Sequence, residues 1–162
     1  MVLEYPELLS RLDEDKIVEI YSALSRRVRN MLEGQFAKKH HKGLKVSLKS
    51  GRERTATALA VREGIVKEQN GQMAEELFRT WLYGKRDMLK SALDFLGVPN
   101  EDGLTTDELT VVEKAEAAKL SELVAYLTGQ GYPLIDVAIY LAFLKAENLA
   151  ECPDLAQALG LK

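Results

Sequence analysis

Two adjacent histidines, His40 and His41, and a lone cysteine, Cys152, are the residues of this 162-residue chain best suited to ligate a metal or attack a substrate. Successive side chains on a helix point about 100° apart, so the two histidines could share one ion only from a loop. No cysteine lies near them, and neither Glu-x-x-His nor His-x-x-x-His completes a ligand set. No metal and no other cofactor is expected. Cys152 precedes Pro153 at a helix start, an environment that lowers a thiol pKa. With no second cysteine to resolve it, it reads as a packed thiol in a reducing compartment, which points to the cytoplasm. The stretch "GLKVSLKSG" lacks the Gly-Lys-Ser/Thr ending of a phosphate-binding loop. Glu75–Glu76 and Asp13–Glu14–Asp15 read as first-turn acids that complement helix dipoles. No nucleophile, base and oxyanion donor fall into a pattern, so a non-catalytic protein is the favoured reading over an enzyme.

"HHKG" resembles the surroundings of the phosphate-accepting histidine in histidine phosphotransfer domains, helical bundles in which lysine and glycine follow the histidine. The spacing departs from theirs, because the position three before Lys42 is Lys39. The resemblance covers only these few residues and carries no assignment.

Charge is distributed far less evenly than the net value of -3 suggests. Between residues 26 and 67 twelve basic side chains face three acidic ones, a balance of +9, which leaves -12 for the remainder. The candidate binding residues are Arg26, Arg27, Arg29, Lys38, Lys39, Lys42, Lys45, Lys49, Arg52 and Arg54. Such a basic patch recruits an anionic partner through a salt-sensitive affinity. It can equally meet acid of the same protein, such as "LDEDK" or "NEDGLTTDE", within a monomer or across a dimer. It can also be a solvated face with no partner. The favoured function is a helical interaction or regulatory protein that docks this segment on an acidic protein surface or on a second copy of itself. Nucleic acid is the alternative partner, although Phe36 alone supplies an aromatic ring beside the patch and neither zinc-finger spacing nor an RNA-recognition signature accompanies it. A third reading is a small-molecule-binding bundle, in which Phe78, Trp81, Tyr83 and Tyr140 line an apolar pocket or an interface. No membrane partner is expected, since no apolar run approaches the roughly 20 residues a crossing needs and the acidic N-terminus does not read as a secretory signal.

The elements that must position these residues are helical. At 46% hydrophobic and 29% charged, the chain has an ordinary globular composition, and residues 1–162 are read as one all-α domain, a compact bundle of six or seven helices. Ile17, Ile20, Tyr21, Leu24, Val28, Met31 and Leu32 recur at three- and four-residue spacing and predict one amphipathic helix from about Asp13 to Glu33, after a short helix over "PELLSRL". "GQMAEELFRTWLYG" and "KRDMLKSALDFLG" predict two helices, or one jointed at Gly84, that stop at Gly97 ahead of Pro99. Thr105 and Glu108 have capping-box spacing and predict the start of a long helix through Leu127. "LIDVAIYLAFLKAEN" is apolar on nearly every side and should be the most enclosed helix, with Pro153 opening a last short one. Residues 44–61 carry two readings. "LKVSLK" alternates like a strand and could form a hairpin with "TATALAV", whereas the alanines of "ERTATALAVREGIVKEQ" favour a helix after a loop or short strand; the second is preferred, because an isolated hairpin is marginal.

Overall fold

The structure is a computed structural model that describes residues 2–38, 51–105, 110–111, 113–114 and 120–161. Among these residues the fold is all-α, with nine helices, no strand and a single isolated bridge between Glu101 and Leu104. The helices outnumber the six or seven expected because stretches that read as continuous are divided by local breaks. The chain separates into two compact units, Tyr5–Trp81, and Leu82–Lys162 together with Met1–Glu4.

The first unit holds α1 (Tyr5–Arg11), α2 (Glu14–Ser22), α3 (Arg26–Phe36), α4 (Gly51–Lys67) and most of α5 (Gly71–Tyr83). The single helix expected over residues 13–33 is two helices. Asp13 caps α2 by accepting from the Lys16 amide at 2.8 Å, and Ser25 caps α3 by accepting from the Val28 amide at 3.3 Å. A serine cap satisfies an amide that a continuous helix would bond differently, and it re-aims the chain. The apolar stripe therefore does not continue: Ile17, Ile20 and Tyr21 are buried on α2, whereas Met31 on α3 is 55% exposed.

α1, α2 and α3 all pack on α4, which buries Thr57, Ala58, Val61 and Ile65 along one side. "TATALAV" is thus helix, and the hairpin reading fails over residues 51–61. Alanine propensity decides it, and the hydroxyl of Thr57, which would favour a strand, donates instead to the Glu53 carbonyl one turn back at 2.8 Å. Residues 44–50, the first arm of that hairpin, lie outside the described residues.

Gly64 is where α4 admits its neighbour most closely. A Cβ built there would stand 2.6 Å from Phe36 Cγ and 2.9 Å from Phe36 Cβ, and the latter is tied to the α3 backbone and cannot swing aside. Helix propensity alone would make Gly64→Ala stabilising by about 1 kcal/mol, but overpacking costs about 1–3 kcal/mol. A net loss is expected, read as a lower Tm in a thermal melt; a Tm at or above the parent's would mean that the two helices do not approach this closely.

The second unit contains α6 (Arg86–Leu96), α7 (Leu120–Gly129), α8 (Leu134–Phe143), a 3-10 turn (Leu149–Glu151) and α9 (Pro153–Ala158). Gly97 closes α6 in a left-handed conformation at φ 69°, and the Val98 amide reaches back to the Leu93 carbonyl at 2.9 Å, the six-to-one bond of a Schellman cap. The stop anticipated at Gly97 and Pro99 is present. The start anticipated at Thr105 and Glu108 lies outside the described residues beyond Thr105. α8 is enclosed as its sequence requires, buried at every position from Asp136 to Phe143. Its C-terminal Schellman cap uses Lys145 at φ 63°, and the Lys145 ammonium donates to the Leu3 carbonyl at 2.8 Å and pairs with Glu4 at 3.1 Å. Those bonds attach the N-terminal residues to this unit.

Candidate functional site

The basic segment is built on the helix pair α3 and α4. Arg26 and Arg27 open α3 directly after the Ser25 cap, and no acidic residue shares that first turn. The positive end of a helix dipole favours carboxylates, so two arginines there are locally unfavourable by a few tenths of a kcal/mol each at an exposed site. Arg26, Arg27, Lys38 and Arg52 are all exposed, and none forms an ion pair among the described residues.

The other members of the segment divide differently. Arg29 is half-buried and spans the break between α2 and α3, its guanidinium donating to the Ser22 carbonyl at 3.2 Å. Arg54 is half-buried on α4, and its Nε finds no acceptor among the described residues. These two act within the fold as well as on its surface. Lys39, Lys42, Lys45 and Lys49, together with His40 and His41, lie outside the described residues.

One of the three acids of the segment is hidden. Glu33 is 2% exposed on α3 and accepts a hydrogen bond from the Tyr21 hydroxyl of α2. Burial, reinforced by the hydrogen bond to Glu33 and by its charge, drives the Tyr21 phenol far above its ordinary value, and Arg29 opposes this only weakly. The carboxylate of Glu33 is therefore withdrawn from the surface, and the exposed face of the segment is more cationic than its composition implies. The sequence places Tyr21 on an apolar stripe and shows Glu33 only as one of the three acids between residues 26 and 67. The pair forms only because the break at Ser25 turns α3 back on α2.

Charge also divides between the two units. Tyr5–Trp81 carries fifteen basic against eleven acidic side chains, +4, and the remainder carries seven against fourteen, -7. In the second unit Asp87, Glu101, Glu113 and Glu122 are exposed and form no ion pair among the described residues. In the first unit Glu14 and Asp15, two of the three acids in "LDEDK", are likewise exposed and unpaired among the described residues, and the third, Asp13, serves the α2 cap. Among the described residues no ion pair joins the acid of "LDEDK" to the basic segment.

The aromatic candidates fall in different places. Phe78 and Trp81 belong to the core of the first unit at 0% and 2% exposure. The Trp81 indole donates to Glu19 at 2.7 Å, and the Lys16 ammonium, itself 3.0 Å from Glu19, stands 5.4 Å from the ring centroid. Tyr140 is buried in the second unit, whereas Tyr83 is half exposed with the Arg86 guanidinium 5.9 Å from its ring. An apolar crevice bordered by Leu9, Ile20, Val61 and Leu77 has 10 Å³ of usable space, room for about one water molecule. That is a packing gap and not a ligand cavity. Among the described residues no three His, Cys, Asp or Glu side chains gather as a metal site, and Cys152 is buried at the start of α9.

An aromatic feature that the sequence did not reveal lies on the second unit. Phe95 of α6 and Tyr126 of α7 stack with centroids 4.6 Å apart and ring planes 24° from parallel, and both remain more than a third exposed. They lie thirty-one positions apart in the sequence, and the packing of α6 on α7 joins them.

No protein-family model, no curated protein and no solved structure matches the chain. No described helix is long and apolar enough to cross a membrane.

Proposed function

We propose that this chain is a non-catalytic helical interaction protein that presents the first turns of α3 and α4 to an acidic protein surface. The observation that carries the proposal is the set of exposed cations in those turns, Arg26, Arg27 and Arg52, with Lys38 just past the end of α3, that pair with no carboxylate among the described residues. A fold selected for stability alone gains by placing acids at the positive end of α3, and here arginines stand there instead. Binding explains that cost, because an acidic partner would relieve it.

The experiment separates stability from binding. Reversing the charge with R26E/R27E should raise the stability of the chain by about 0.3–1 kcal/mol per site through the helix dipole, read in urea unfolding. The same change should weaken capture on immobilised polyglutamate and flatten its dependence on salt. Unaltered capture with an unaltered salt slope rejects the proposal. A loss of stability would instead assign the arginines to internal pairing. Repeating the titration with a single-stranded oligonucleotide distinguishes nucleic acid, whose affinity would fall steeply with salt and exceed that for polyglutamate.

A further inference from the structure

The stacked pair Phe95 and Tyr126 leaves more than a third of each residue exposed to solvent, and Glu122 lies one helical turn before Tyr126, on the same side of α7. Glu122 is exposed and pairs with no cation among the described residues. A guanidinium is the side chain that fits such a place, since it lies flat on an aromatic face and its fork pairs with a carboxylate. We infer that this shelf receives the arginines of the first turn of α3, Arg26 and Arg27, from a second copy of the chain. The inference rests on the reading of α3 as a docking element and names its partner. Charge complementarity selects the occupant: the shelf belongs to the unit at -7, and the unpaired arginines belong to the unit at +4. A partner of one sign would be attracted by one unit and repelled by the other, whereas a second copy supplies both halves of the contact.

Sedimentation velocity of the full-length chain tests this at about 50 mM and about 500 mM NaCl, a range over which the screening length falls from about 14 Å to about 4 Å. Self-association that deepens with protein concentration at low salt and dissolves at high salt is expected. E122R and Tyr126→Ala should each weaken it about tenfold, with R26E/R27E weakening it at least as much. Far-ultraviolet melts of E122R and Tyr126→Ala should stay near the parent's, because both side chains are exposed, and R26E/R27E should melt no lower than the parent. Combining E122R with R26E/R27E in one chain restores opposite charges across the contact and should recover most of the association. A chain that remains monomeric at low salt yet still captures polyglutamate overturns the self-docking and leaves the docking element standing. A chain that does neither overturns both. Association indifferent to E122R and Tyr126→Ala would place the interface elsewhere and also overturn the inference.

Discussion

Replacing Trp81 with alanine is expected to cost about 3–5 kcal/mol of folding stability, against a total that for domains of this kind is about 5–15 kcal/mol. Three terms are lost together. The ring is 2% exposed, so its removal opens a large cavity in the first unit. Its indole donates to Glu19 at 2.7 Å, and Lys16 loses the ring beneath its ammonium at 5.4 Å. Trp81→Phe keeps most of the volume and deletes only the donor, while Glu19 retains Lys16 at 3.0 Å. Its cost should be nearer the about 1.5–3 kcal/mol of a charged hydrogen bond. Urea unfolding followed by circular dichroism measures both, since Trp81 is the only tryptophan and cannot report on its own absence. An alanine variant within 1 kcal/mol of the parent would contradict its placement in the core.

The second large effect concerns Tyr21. Tyr21→Phe removes the hydroxyl that donates to buried Glu33, and about 1–3 kcal/mol should be lost at neutral pH because a carboxylate forfeits a donor it cannot replace with water. The pH dependence identifies the cause. The Tyr21 phenol is raised in the fold, by burial first and by Glu33 second, so the folded state holds its proton more tightly than the unfolded chain does. The resulting stability is fully present below about pH 10, where an unfolded tyrosine titrates, and is lost as the pH rises from there toward the folded value. The slope is at most about 1.4 kcal/mol per pH unit. Parent and variant share the other tyrosines and all lysines, so their difference isolates Tyr21. That difference should hold constant between pH 7 and pH 9 and shrink above about pH 10. A constant difference up to pH 11 would show that Tyr21 is not the group being titrated.

Much of the helical framework is written in local signals. The glycine–proline stop after α6, the proline start of α9 and the uninterrupted apolar character of α8 each depend on residues within a turn or two of one another, so they are readable from the sequence. The alanines of α4 set the helix over residues 51–61 for the same reason. The break between α2 and α3 was less legible: Ser25 is a competent cap, but a serine on a helix surface looks the same until α3 finds something to pack against. The basic residues of the segment could be counted in the sequence, but their exposure could not, and Arg29 and Arg54 turned out half-buried while Arg26, Arg27, Lys38 and Arg52 face solvent.

Composition and periodicity thus determined by themselves an all-α chain with its cations gathered between residues 26 and 67. Tertiary structure alone decided which charges remain free. Glu33 left the surface to meet Tyr21 twelve residues away, Trp81 joined Glu19 across sixty-two residues, and Phe95 reached Tyr126 from a neighbouring helix. The physical reason is range. Helix propensity and capping act over a turn or two, whereas burial and pairing depend on what a distant part of the chain brings alongside, and side-chain spacing carries no record of that partner.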